Sequence, residues 1–169
     1  MRWFVLILLG GCTGSVLGEV GSGGLRGGML QASMGTDALS LVGDVDLTQI
    51  DHDTAFAGMT DFGLRSSLMS LMPWNDNTTP TVNRTVDVGV SGGFGGGIAR
   101  DELIGRLWAS AWTDIRLTPW PDQPEQAGFY PALHVEVRRD GYTGYDGSTY
   151  LLIGFSFVLH ADDLQIAVH

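Results

Sequence analysis

The sequence predicts an all-β chain, an antiparallel up-and-down meander of about eight strands closed into a barrel. Three observations predict it. Runs that alternate apolar and polar residues recur along the chain, with the period of two that strands impose. Clusters of Gly, Pro, Asn and Asp separate those runs. The runs also reach about ten residues or more, long for a small soluble sheet and long enough for a tilted strand to cross a bilayer. A β-sandwich or an α+β lipoprotein domain satisfies the first two observations and stays open at this point.

Taken in order, the predicted strands are 28–34, 38–49, 53–60, 61–72, 84–95, 103–118, 129–140 and 148–160. In the fifth, Val86, Val88 and Val90 share one face, and Thr85, Asp87, Gly89 and Ser91 share the other. In the sixth, Leu107, Ala109, Ala111, Thr113, Ile115 and Leu117 oppose Trp108, Ser110, Trp112, Asp114 and Arg116. In the seventh, Leu133, Val135 and Val137 oppose His134, Glu136 and Arg138. The last places Leu151, Ile153, Phe155, Phe157 and Leu159 on one face. Stretches 61–72 and 101–112 fit an amphipathic helix about as well, the second with Asp101 as N-cap. Turn signals fall at 35–37, 73–81, 119–128 and 140–148; the third holds prolines that exclude a central strand.

Composition narrows the class. A length of 169 residues supports one domain. The chain is 44% hydrophobic, only 17% charged and carries 25 Gly, with a mean hydropathy of +0.12. Such a chain packs backbones closely, turns often or faces lipid. The net charge is -10, and the 9 basic residues are all Arg. That balance excludes nucleic acid, which rewards clustered cations, and peripheral docking on anionic lipid. The single cysteine, Cys12, excludes a disulfide framework and a Cys-rich metal site. No cofactor motif is present.

The N-terminus reads as a leader. Arg2 is a minimal positive region, and 3–9 is an unbroken apolar run. That run is far below the ~20 helical residues a bilayer core requires, so it reads as a signal segment. Leu9-Gly10-Gly11-Cys12 resembles the lipobox of bacterial lipoproteins, in which a small pair precedes a cysteine that is lipidated and becomes the first mature residue. The resemblance implies export, lipidation at Cys12 and, with Thr13 following, transfer to the outer membrane. A competing cut lies after Val16-Leu17-Gly18. The domain reading is therefore a signal segment over 1–12, a Gly/Ser-rich tether or first strand over 13–28, and one β-rich domain over 29–169.

The end of the chain carries a second resemblance. Gly154, Phe157 and Leu159 match the terminal-strand signal of bacterial outer-membrane β-barrel proteins, with Leu152 standing where that family has a polar residue. Trp74, Trp120, Tyr130, Tyr142, Tyr145 and Tyr150 lie near predicted strand ends and resemble an aromatic girdle. In such a barrel the apolar faces meet lipid and the polar faces meet inside. The polar faces hold Asp61 and Arg65 as well as the expected lumen network: Asp87, Asp114 and Glu136 pairing with Arg106, Arg116 and Arg138, and His134 beside them.

Other candidate chemistry is weaker. Asp44, Asp46, Asp51, His52 and Asp53 offer oxygen ligands for Ca²⁺, but without EF-hand spacing they read first as a solvated turn. His134, Glu136 and Ser156 resemble the Ser-His-acid set of lipid-modifying barrels, though a polar lumen pair looks alike. Gly92 to Gly97 lacks the Lys-Ser/Thr of a phosphate loop and reads as a kinked strand or turn. Asn77-Thr78-Thr79 and Asn83-Arg84-Thr85 match the glycosylation acceptor pattern by chance. The expected function is structural, or binding through loops 73–83, 119–128 and 140–148, with outer-membrane lipid and an envelope protein as partners. A tethered soluble lipoprotein and a lipid-modifying hydrolase are the alternatives.

Overall fold

The computed structural model of the chain describes residues 11–21, 24–35, 38–50, 56–68, 86–117 and 129–159. These form eight antiparallel strands: β1 (Gly11–Gly21), β2 (Gly24–Gly35), β3 (Ser40–Gln49), β4 (Phe56–Ser67), β5 (Val86–Ala99), β6 (Glu102–Arg116), β7 (Phe129–Tyr142) and β8 (Tyr145–Leu159). Each pairs with its sequence neighbour, and β8 closes on β1 from Cys12↔Leu159 to Val20↔Leu151. The all-β up-and-down barrel is therefore the fold; the sandwich and the α+β domain are not.

Several predicted boundaries move. The stretch read as a tether or first strand, 13–28, is β1 and the start of β2, so the barrel begins at Gly11 rather than 29. Its glycines mislead because side-chain bulk, not backbone pairing, carries the usual strand signal. The runs 53–60 and 61–72 are one strand. Ala57, Met59, Asp61, Arg65 and Ser67 face inward without a break, leaving no turn at residue 60. The helix alternative for 61–72 gives way to strand through Ser67, and that for 101–112 gives way to β6. Residues 69–72 lie outside the described residues. The glycine run of 92–97 sits inside β5 and is not a turn.

The connections divide between the two ends of the barrel, with the two longest at the same end. The connections 22–23, 50–55, 100–101 and 143–144 share one end, and 36–39, 68–85 and 117–128 share the other with both ends of the strand series. At the β5–β6 turn, Arg100 (φ 49) and Asp101 (φ 66) both take the left-handed conformation, which matches the twist of a two-residue hairpin. The predicted loop 140–148 belongs mostly to β7 and β8, which turn around Gly144 (φ 81). It therefore lies at the opposite end of the barrel from the strand ends that flank 73–83 and 119–128, which themselves lie outside the described residues.

Period-two alternation sets an apolar exterior against a polar interior. Val45, Leu47, Phe62, Leu64, Phe94, Leu107, Val137 and Phe155 all face outward and are exposed, Leu107 by 70%. Inside, the short-connection end is closed by an apolar cluster of Ile50, Ala57, Met59, Ala99, Ile104 and Tyr142, with Tyr145 against it. Two expected girdle residues are thus corrected: Tyr142 and Tyr150 are buried inside the barrel, where their hydroxyls find a carboxylate. Trp74 and Trp120 lie outside the described residues.

Close approach explains the glycines of β5. Gly93 lies opposite Gly63 and Trp108, and Gly89 lies opposite Ser67 and Trp112. A Cβ at Gly89 would collide with the Trp112 indole, and one at Gly63 would lie 2.8 Å from Trp108 Cζ2. Glycines at 89, 93, 95 and 97 leave most of the inner face of β5 bare, so that the inward indoles of β6 fit within a narrow barrel, and a Cβ at Gly93 would collide with the Phe62 carbonyl oxygen. Gly93→Ala is therefore expected to lower the urea midpoint of the folded barrel, at a cost of about 1–3 kcal/mol. Gly58→Ala, whose added Cβ meets nothing within 4 Å, is expected to leave it unchanged.

Candidate functional site

The polar interior is the chemically distinctive part of the molecule, and register builds it. Asp44 and Asp61 lie directly opposite one another on β3 and β4. Gly95 lies between Asp61 and Arg106, so the Arg106 side chain passes over a bare position to reach the carboxylates. Like charges opposite each other repel. Two guanidinium groups, from Arg106 and Arg138, fill the gap.

Arg106 donates to Asp61, and its Nη1 donates to Asp140 Oδ2 at 3.2 Å. Its Nη2 forms ion pairs with Asp46 Oδ2 at 2.6 Å and Asp44 Oδ1 at 3.5 Å. Arg138 donates through Nη1 to Asp44 Oδ2 (3.0 Å), through Nη2 to Asp61 Oδ2 (2.5 Å) and through Nε to Asp140 Oδ1 (3.0 Å). Tyr142 and Tyr150 donate their hydroxyls to Asp140 Oδ2 at 2.8 and 2.6 Å. Beside them, Thr48 Oγ1 donates to Glu19 Oε2 at 2.5 Å.

A second tier lies nearer the long-connection end. Arg65 donates to Gln31 Oε1 (3.1 Å) and Asp114 Oδ2 (2.7 Å). His134 lies between two carboxylates, with Nδ1 2.6 Å from Asp114 Oδ1 and Nε2 3.2 Å from Glu136 Oε2. Ser156 Oγ donates to Asp114 Oδ1 at 3.0 Å. The Trp112 ring lies 3.7 Å from the Arg65 guanidinium carbon, and the Trp108 ring 4.2 Å from that of Arg138. Stacking of this kind on a desolvated guanidinium contributes about 2 kcal/mol.

Of the expected network, Arg106, Asp114, His134, Glu136 and Arg138 are buried in the interior, but with other partners. Asp114 pairs with Arg65 and His134, and Glu136 with His134. Arg106 and Arg138 pair instead with Asp44, Asp46, Asp61 and Asp140. Asp87 is half-buried toward the long-connection end, where Ser67 Oγ donates to it at 2.6 Å, and Arg116 is half-buried there too. Sequence reasoning left out Glu19, Asp44, Asp46 and Asp140. The signal was present for two of them, since Asp44, Asp46 and Thr48 alternate with Val45 and Leu47.

The geometry answers two chemical readings. The reading of Asp44 and Asp46 as a solvated turn is corrected, because both are buried in β3. Oxygens of Asp44, Asp46 and Asp61 lie within 4.8 Å of one another, but Arg106 stands among them as the cation. Asp51, His52 and Asp53 lie outside the described residues. The Ser-His-acid set does not assemble. Ser156 donates to Asp114 rather than to His134, and both imidazole nitrogens face carboxylates, leaving none to take the serine proton. His134, Glu136 and Ser156 are each 0% exposed.

Comparison of the chain with family models, with curated proteins and with solved structures finds no match.

Among the described residues, the buried carboxyl groups (Glu19, Asp44, Asp46, Asp61, Asp114, Glu136 and Asp140) outnumber the buried guanidinium groups of Arg65, Arg106 and Arg138. Losing a cation and losing a carboxylate are thus unequal. Arg106→Met is expected to destabilise the folded barrel by about 3–5 kcal/mol, the cost of stranding a buried charge. Asp46→Asn, which relieves the excess, is expected to cost far less. Urea unfolding followed by tryptophan fluorescence checks the order, and equal losses would contradict this account of the interior.

Proposed function

We propose that the chain is an exported, integral outer-membrane β-barrel. Its ionic interior acts as a solid filler, not a pore. Its role is structural, or binding through the connections at one end. The observation that carries the reading is the inversion of the barrel: an apolar exterior with exposed Leu, Phe, Val and Ile around a core of ion pairs. In water that exterior would aggregate. In lipid it is the stabilising face, and the closed sheet leaves no edge whose backbone groups lack partners.

Strand length supports the same reading, since the strands range from 10 residues in β3 to 15 in β6 and β8. A tilted strand crosses a bilayer core with about 9–11. Eight strands enclose a lumen that side chains fill, which favours a scaffold over a channel. A binding role would fall to the connections 68–85 and 117–128, which share one end, with an envelope protein as partner.

Strand pairing bears on the leader as well. A cut after Gly18 would remove most of β1, which holds both β2 and β8. A cut ahead of Cys12 leaves β1 whole from Cys12 onward, which favours Cys12 as the lipidated first residue of the mature chain. The lipid would then sit at the rim of the barrel with no spacer. Cys12→Ser is expected to stay with the full-length protein in carbonate-washed membranes and to keep heat-modifiable migration on gels. Release of the variant into the supernatant would make lipid the only anchor and the domain a tethered soluble protein.

A further inference from the structure

We infer that the outer wall of the barrel carries a binding groove for the phosphate of an anionic lipid, headed by Arg139. The inference rests on the membrane reading above. Among the exposed charged side chains of the described residues, Arg139 lies furthest from a strand end, three residues before the close of β7. It lies opposite Ala109 on β6 and Thr149 on β8, next in line on its face to Val137, which is 52% exposed. On β7 and β8 the apolar band ends there, and on β6 it continues through Leu107.

The register of β7 with β8 shifts between Asp140 and Tyr142. Glycines cluster around that irregularity. Beside it lies a hollow of about 580 Å³, lined by Gly105, Leu107, Arg139, Gly141, Tyr145 and Gly147 and floored by the buried Arg106, Asp140 and Tyr142. Arg139 Nη1 donates to Thr149 Oγ1 at 2.8 Å, which fixes the guanidinium, and Nη2 lies 3.7 Å from where a Cβ on Gly147 would be. The guanidinium has donors left over, and no ion pair engages it among the described residues. A cation on an apolar wall is costly without an anion, and a guanidinium fork matches phosphate oxygens two at a time. The exposed acids of this end, Asp101, Glu102 and Asp146, are not among the residues lining the hollow, and the one carboxylate that is, Asp140, is already held by Arg106, Arg138, Tyr142 and Tyr150. Val137, one step nearer mid-barrel on the same face, offers the acyl chain an apolar surface. The net charge of -10 makes general attraction to anionic lipid unfavourable, so selectivity would have to be local.

The test reconstitutes the full-length protein in phosphatidylcholine vesicles. Electron spin resonance then measures how strongly spin-labelled phosphatidylglycerol is immobilised relative to spin-labelled phosphatidylcholine. The wild type is expected to prefer phosphatidylglycerol by about threefold to tenfold. Arg139→Gln is expected to bring the ratio near one. Gly141→Leu is expected to do the same by filling the hollow, since a Cβ there meets only the Leu107 carbonyl oxygen at 4.0 Å and folding is left intact. Inorganic phosphate in the buffer is expected to have no effect. A preference that Arg139→Gln leaves unchanged, no preference in the wild type, or displacement by inorganic phosphate would each overturn the groove while leaving the barrel in the membrane. Protein that carbonate strips from the vesicles overturns the membrane reading, and the groove with it.

Discussion

Two guanidinium groups held among four aspartates are the interaction on which the rest of this barrel depends. Asp44, Asp46, Asp61 and Asp140 come from three strands, and Arg106 and Arg138 from two. Together they tie β3 and β4 to β6 and β7 across the lumen. A sheet closed at eight strands must fill its interior with side chains, and ions can fill it only if each finds a partner. Much of the sequence follows from that demand. The bare inner face of β5 lets Arg106 and the two indoles cross the lumen, and tyrosines usually found at a membrane boundary turn inward to satisfy Asp140.

The exterior is the complement of that interior. Since the charges are spent on one another inside, the outward positions are left to Val, Leu, Ile and Phe. The two ends differ as well. One is closed by an apolar cluster and joined by mostly short connections. The other carries the two long connections and the start of β1. A binding partner and a lipid anchor at Cys12 would therefore share the second end, whereas the Arg139 hollow lies toward the first.

Legibility followed side-chain size. The strands of the second half were read nearly to their ends because large apolar residues alternate with charged ones in β6 and β7. The first half was harder. β1 is rich in Gly and Ser, so its backbone pairing leaves little trace in residue type, and the stretch reads as a tether as readily as a first strand. A split placed inside β4 added a strand that does not exist. The count of eight therefore came out right through two errors that offset each other. Asp44 and Asp46 were grouped with Asp51, His52 and Asp53 as a turn because local acidity was weighed above their alternation with Val45 and Leu47.

The sequence by itself determined which side chains share a face, because the pleat of a strand assigns alternate residues to opposite sides whatever lies beyond it. It therefore contained the series of alternating strands and most of the polar interior. Only the tertiary structure decided who pairs with whom. Arg138 meets Asp44 across 94 residues of chain, and Arg65 meets Asp114 across 49. Those partnerships depend on the stagger between strands and on closure of β8 against β1. Stagger and closure are properties of the whole sheet, and no local pattern encodes them. The same holds for Ser156, whose hydroxyl the stagger of β6, β7 and β8 brings to Asp114 rather than to His134.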